Sequence, residues 1–244
     1  MDKPPSKHSI RLRLHPRSIY GDFQKMGKDL VKENCPLCKS PFTDESYAQS
    51  KYCHKCETLD TPYIDESLYD EAYKDKYIVH WESDTNDPIQ ECRWNLIKHF
   101  KSSGKLIDIG CGTGSFLRAA PRNFSVSGCD VNKHCVDYCN ENWIEATHTS
   151  CPTEYSEYDI VTMFDVIEHN PDLGIIEQVK FMLKDNGYFI FCTPNFKPSM
   201  LDNIEEWRHY RPAGEHVFCI SEKSIMTMAE IFNLEILDIN FEES

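Results

Sequence analysis

The stretch Leu106-Ile-Asp-Ile-Gly-Cys-Gly-Thr-Gly-Ser-Phe-Leu117 constrains this chain more than any other. A short apolar run enters a turn with glycines at 110, 112 and 114, and an acid, Asp108, stands two residues before the first of them. Twenty-two residues after Asp108, a second apolar run, Phe124-Ser-Val-Ser-Gly128, ends in Asp130. Glycines at alternate positions let a backbone turn sharply and let a ligand approach the main chain where a Cβ would clash. Such a turn between a buried strand and a helix belongs to an α/β fold. The bland alternative is a strand-turn-helix with incidental aspartates.

A dinucleotide-binding fingerprint requires Gly-x-Gly-x-x-Gly, its third glycine opening a helix beneath a pyrophosphate. Ser115 occupies that third position here. The Asp-x-Gly-x-Gly-x-Gly form, with a correctly spaced second acid, instead resembles the S-adenosylmethionine site of class I methyltransferases. That cofactor carries an ammonium and a ribose and no phosphate. The resemblance therefore implies Asp108 for the ammonium end and Asp130 for the ribose, with Gly110, Cys111, Gly112, Gly114, Val131 and Phe164 completing the cofactor site. The bland role for Cys111 is that of a small residue packed beneath the turn.

Four of the twelve cysteines fall as Cys35-Pro-Leu-Cys38 and Cys53-His-Lys-Cys56, with fourteen residues between the pairs. Two such knuckles present four thiolates to one ion, so they are expected to form a zinc ribbon, with redox pairs as the alternative. Four thiolates complete a tetrahedral shell, which leaves His54 exposed rather than ligating. The other eight cysteines lack knuckle spacing and are expected to pack as small buried hydrophobes.

A length of 244 residues with 40% hydrophobic content suits one main globular domain with an appendage. No apolar run approaches membrane-spanning length and the N-terminus lacks a signal-peptide core, so a cytoplasmic protein without membrane association is expected. The net charge of −14 argues against a broad nucleic-acid footprint. That charge is uneven. Residues 1–34 hold eight Lys/Arg against four Asp/Glu, leaving −18 for the remainder.

The expected organisation is a basic lead at 1–33, the ribbon at 34–60, a tyrosine-rich connector at 61–85 with a short helix, and the main domain at 86–244. A helix is expected at 86–101. Strands follow at 105–109, 124–129, 145–149, 158–164, 187–192 and 234–241, with helices at about 114–120, 132–141, 172–184 and 221–232. Asp185-Asn-Gly187 should end the third of those four, and Ser221-Glu-Lys-Ser resembles an N-cap opening for the last. The alternation predicts a doubly wound, Rossmann-like α/β sheet with a small N-terminal zinc ribbon.

The resemblance extends further along the chain. Tyr158-Asp-Ile-Val-Thr-Met-Phe-Asp-Val-Ile-Glu-His169 is similar to the fourth strand and following turn of small-molecule methyltransferases related to the ubiquinone-pathway O-methyltransferases. Leu183-Lys-Asp-Asn-Gly-Tyr188 with Thr193-Pro-Asn195, and Arg211-Pro-Ala-Gly-Glu-His-Val-Phe218, resemble their fifth-strand region and the segment before their last helix. A cysteine ribbon ahead of such a domain resembles bacterial glycan and deoxysugar-pathway methyltransferases. Class I members usually pair a sixth with a seventh strand, whereas residue 244 follows directly on the sixth here. The alternating segment Ile10-Arg-Leu-Arg-Leu14 offers a substitute strand, from this chain or a partner; its polar, basic setting favours an irregular tail instead.

Methyl transfer to an alcohol needs a base, for which histidine is suited. His216, with Glu215 orienting it, is the candidate; His169 is the second, and a structural or substrate-binding role for both is the alternative. Glu168 is expected to be a structural partner at the strand end. Trp207, Tyr210 and Arg211 are candidates to line an acceptor pocket, with ordinary packing of a lid as the alternative. Three function classes follow: a small-molecule or glycan O-methyltransferase, a nucleic-acid or protein methyltransferase using the ribbon as reader, and a non-catalytic module. The intact cofactor motif counts against the third. No Asn/Asp-Pro-Pro-Tyr or Pro-Cys motif supports the second, although the basic lead keeps it open. A monomer or homodimer is expected.

Overall fold

The computed structural model describes residues 7–14, 33–43, 45–61, 75, 88–152, 158–170, 173–210 and 216–242. Two compact units emerge: one from Met1–Asp65, Asp165–Glu177 and Ile190–Ser244, the other from Glu66–Phe164 and Gln178–Phe189. The chain opens in the first unit with strand β1 (Lys7–Leu14), followed by β2 (Ser46–Tyr47), β3 (Ser50–Cys53) and β4 (Thr58–Asp60). Strands β2, β3 and β4 pair antiparallel in sequence. Each knuckle of the ribbon turns through a left-handed residue, Lys39 at φ 57° and Glu57 at φ 58°. The connector lies outside the described residues apart from Thr61 and Asp75.

The second unit holds the predicted alternation. Helix α1 (Pro88–Phe100) precedes β5 (Gly104–Ile109); α2 (Ser115–Arg118), β6 (Phe124–Asp130), α3 (Lys133–Glu141), β7 (Ala146–His148) and β8 (Tyr158–Phe164) follow. Leu106 to Ile109 are all buried, as a parallel strand covered on both faces requires. Strand β5 pairs parallel with β6 on one side and with β8 on the other, and β6 pairs parallel with β7. The chain thus winds outward from β5 and returns to its opposite edge. Ligands of such sheets bind where the strand order reverses, at the carboxyl ends of the strands, which here are the ends of β5 and β8. Trp94 of α1 stacks on Phe116, 4.8 Å between rings, and its indole N–H donates to the Phe116 carbonyl at 2.9 Å. Asn132 caps α3, its Oδ1 accepting from the His134 and Cys135 N–H groups, a contact worth about 1 kcal/mol.

Helix α4 (Gly174–Met182) passes directly into β9 (Leu183–Pro194). The helix was expected to reach 184; instead Asn186, at φ 63°, makes its left-handed turn inside the extended segment. Strand β10 (Phe218–Cys219), helix α5 (Glu222–Ile231) and β11 (Leu234–Glu242) complete the chain. Ser221 opens α5 as expected, its hydroxyl accepting from the Ser224 N–H while the Ser224 side chain bonds back to the Ser221 N–H.

The N-terminal segment overturns the irregular-tail expectation. Strand β1 pairs antiparallel with β11, from Lys7 opposite Glu242 to Leu14 opposite Leu234, with a register shift between Arg11 and Leu12. It stands between β11 and β9 in strand order, so a segment from the start of the chain fills the position that the resemblance assigned to a seventh strand. The gain is a hydrogen-bonded neighbour for β11, which stands at the sheet edge and would otherwise present unpaired backbone groups on both sides. No helix among the described residues is long and apolar enough to cross a membrane.

Candidate active site

The glycine loop is built from backbone geometry. Gly110, Gly112 and Gly114 take φ values of 72°, 53° and 78°, a region that a side chain makes costly. The N–H groups of Gly110 and Cys111 both donate to the Cys129 carbonyl, at 2.8 and 3.0 Å, which folds the loop back on the end of β6. Cys111 packs beneath the turn as its bland reading predicted: a Cβ at Gly128 would meet its sulfur at 2.6 Å. A Cβ at Gly112, by contrast, would meet nothing within 4 Å. Gly112 therefore faces open space, and a left-handed glycine beside space is what close approach of a ligand to the main chain requires.

Two carboxylates flank this loop. Asp130 is half-buried and receives the Gly112 N–H on one oxygen and the Asn132 N–H on the other, both at 2.8 Å. Burial pushes its carboxyl upward, against the pull of these backbone donors. A carboxylate offers about four acceptor positions, so capacity remains for ligand hydroxyls. Beside it Val131 is 49% exposed, an apolar face available to an aromatic ring. Asp108 is buried, and the Thr162 hydroxyl donates to its Oδ1 at 2.6 Å. Burial pushes Asp108 up to about 7; the Thr162 bond and the Arg93 charge pull it down, while Asp130 adds to the rise. Phe164 lies edge-on to Phe116, and the Arg93 guanidinium stands 4.4 Å from its ring centre. Arg93 carried no motif in sequence; only its place on α1 reveals it.

In the first unit a carboxylate and two imidazoles converge. Glu168, His169 and His216 bring ligating atoms within 4.8 Å of one another. Glu168 is buried and accepts from the Thr193 hydroxyl at 3.0 Å. Its carbonyl accepts from the Val217 N–H at 2.8 Å. The His169 and His216 rings meet edge to face, 4.8 Å apart. Buried His216 places Nδ1 2.7 Å from the His209 carbonyl. A carbonyl can only accept, so Nδ1 carries the proton and the lone pair of the neutral ring is on Nε2. The His209 ring stacks parallel to His216 at 6.0 Å. Glu215 and Arg211 lie outside the described residues. Trp207 and Tyr210 are buried in a cluster with Tyr52, Leu59, Phe196, Ile204 and Cys219.

The ribbon cysteines also converge. Cys35 and Cys56 stand 3.5 Å apart, as do Cys38 and Cys53, and all four sulfurs lie within 4.8 Å of one another. A tetrahedral zinc thiolate centre, with bonds of about 2.3 Å, separates its sulfurs by about 3.8 Å. His54 is exposed and its ring meets Glu45 at 3.3 Å, away from this donor set.

Comparison with known proteins decides the family. Residues 82–239, more than half of the chain, match a family described as a methyltransferase domain. The chain belongs to the S-adenosylmethionine-dependent methyltransferases. A ubiquinone biosynthesis O-methyltransferase of Haemophilus ducreyi is 29% identical over 171 residues, which cover 59% of this methyltransferase and 71% of that protein. One of Actinobacillus pleuropneumoniae is 33% identical over 152 residues, covering 53% of this chain and 62%, less than two thirds, of that one. The solved structure of YcgJ from Bacillus subtilis aligns with a TM-score of 0.51 at 19% identity, over 60% of this chain and 68% of its own, a likeness of fold.

Proposed function

We propose that this methyltransferase acts on a hydroxyl of a small molecule, a phenol or a sugar-type acceptor. The observation that carries the reading is the Nδ1 bond of His216, which makes Nε2 the basic atom of a neutral ring that lies beside Glu168 and His169. An oxygen acceptor must lose its proton, and such an imidazole can take it. The O-methyltransferase relatives support the same chemistry. Transfer of a labelled methyl group to phenols, nucleotide sugars and RNA, assayed in parallel, tests it. Incorporation into RNA alone would overturn it.

The donor residues fit S-adenosylmethionine: open space at Gly112, a half-buried Asp130 with acceptor capacity for ribose hydroxyls, the exposed Val131 face, and a buried Asp108 suited to an ammonium. When bound, the cofactor supplies a methyl group on a positively charged sulfur. Gly110, Cys111 and Gly114 shape the loop, Phe164 walls it, and Arg93 places a cation over the Phe164 ring. Asp108 gives this reading a pH signature. With its carboxyl near 7, it is protonated below that pH and cannot pair with an ammonium. Affinity for S-adenosylhomocysteine should therefore fall as pH drops from 8 to 5.5, approaching tenfold per unit at the acid end. In the free protein the same raised pKa lowers stability as pH rises from about 4 to about 7, because the fold holds that proton more tightly than the unfolded chain does. Calorimetry across this range is the check. A flat profile, or an Asp108→Asn variant with an unchanged slope, would remove Asp108 from the role.

For the ribbon, zinc held by Cys35, Cys38, Cys53 and Cys56 fits the all-sulfur donor set, and four thiolates leave no open position for catalysis. Elemental analysis should find one zinc per chain. A correctly folded protein without metal would show that the thiols serve another purpose.

A further inference from the structure

The ribbon does not stand apart from the candidate base. The Cys53–Cys56 knuckle is the turn between β3 and β4, and β4 pairs antiparallel with β10, Asp60 opposite Phe218 and Leu59 opposite Cys219. One residue beyond β4, the Thr61 N–H donates to the Val217 carbonyl at 3.0 Å, and the Thr61 hydroxyl donates to the carbonyl of His216 itself. Phe218–Cys219 is thus the outer strand of the ribbon's own sheet, and His216 and Val217 lead directly into it.

The ring of His216 is tied to the ribbon by a second route. Its Nδ1 bonds the His209 carbonyl, and the next residue, Tyr210, anchors to the β2–β3 hairpin. There the Gln49 N–H donates to the Tyr210 hydroxyl at 3.3 Å, and Ser50 Oγ bonds the same hydroxyl at 2.9 Å. Thr58, at the start of β4, places its hydroxyl 3.2 Å from Cys35 Sγ and 3.4 Å from Cys56 Sγ, joining the thiolate cluster to the strand that leads to Thr61. Ser224 of α5 bonds the carbonyls of Cys56 and Glu57, at 2.9 and 3.0 Å. Main chain and ring of His216 are therefore referred to two hairpins that share β3, and the cysteine cluster closes the β3–β4 one.

We infer that the metal-closed ribbon positions His216, with Thr61 holding its main chain and Tyr210 holding the carbonyl that orients its ring. The inference rests on the zinc and His216 readings above. In a metal-filled ribbon the hairpin is rigid and His216 stays in register; with the metal removed, the hairpin loosens and the imidazole loses its fixed orientation. The glycine loop has no part in these bonds, so cofactor affinity is unaffected. Thr61 and Tyr210 are positioning residues, since neither needs to touch a reacting atom.

The test uses the full zinc-loaded chain and three variants that leave every thiolate in place: Thr61→Val, Tyr210→Phe and Thr61→Ser. The imidazole signal of His216 is followed by NMR of histidine-labelled protein, assigned by its loss in His216→Gln. Thr61→Val and Tyr210→Phe should each shift and broaden this signal and lower kcat about tenfold. Zinc content should stay at one per chain and S-adenosylhomocysteine affinity within twofold. Thr61→Ser, which keeps the hydroxyl, should restore both signal and rate, and stripping zinc from the unmutated chain should disturb the signal most. An unmoved His216 signal in both damaging variants and in the stripped protein would overturn the inference. Because the signal reports position whatever His216 does chemically, a shifted signal with unchanged kcat would instead fault the assignment of His216 as base.

Discussion

His216→Ala should lose about 10²- to 10⁴-fold in turnover while binding S-adenosylhomocysteine as the unmutated chain does. The ring is buried, its Nδ1 is committed to the His209 carbonyl, and its neighbours are the His169 ring and Glu168. Truncation removes the proton acceptor and leaves the glycine loop intact, so the loss belongs in kcat. It should shrink as pH approaches the acceptor's own pKa, where the hydroxyl ionises without help. His169→Ala should do less, because the proton acceptor proposed above is His216. Steady-state rates with the acceptor found by the methyl-transfer screen, across pH, provide the measurement. Near-wild-type turnover would move the base to His169 or leave catalysis to alignment alone.

The second large effect belongs to the cofactor. Asp130→Ala should weaken S-adenosylhomocysteine binding about 30- to several-hundred-fold, the loss of two charge-assisted hydrogen bonds at about 2–4 kcal/mol together. The carboxylate also holds the Gly112 N–H and the Asn132 N–H, so its removal frees the glycine turn and the entry to α3 as well. Asp130→Asn, which keeps one acceptor oxygen, should fall between the two. Calorimetric titration of the three proteins separates them, and equal affinities for Asp130→Ala and the unmutated chain would end the ribose assignment. A far-ultraviolet spectrum of each variant guards against confusing lost binding with lost structure.

Much of the second unit was legible in advance. The buried run Leu106–Ile109 and the glycines at 110, 112 and 114 dictate a strand and a turn through local sterics, and the turn forms with all three glycines left-handed. In the first unit, Ser221 and Ser224 set the start of α5 within a single turn of chain. The end of α4 was misjudged by two residues, because Asn186 can make its left-handed turn in a helix terminus or in an extended segment with equal ease.

Whatever depends on neighbours along the chain was readable from residue order: the glycine turn, the two cysteine knuckles, the cap of α5 and the parallel strand runs. Their physical causes, allowed φ values, spacing of donor atoms and burial of apolar runs, act within a few residues. Tertiary structure alone decided which distant groups meet. The alternation of Ile10–Leu14 signals a strand but names no partner, and β11 lies more than two hundred residues away. Arg93 is one charge among many until α1 brings it over Phe164. The partner of the His216 ring is the carbonyl of His209, and that of its main chain is the hydroxyl of Thr61. Every residue but proline offers the same backbone donor and acceptor, so such partnerships leave no mark in sequence. They exist only because closing the ribbon against residues 207–210 and 216–219 is the arrangement that buries Tyr52, Leu59, Trp207 and Tyr210 together.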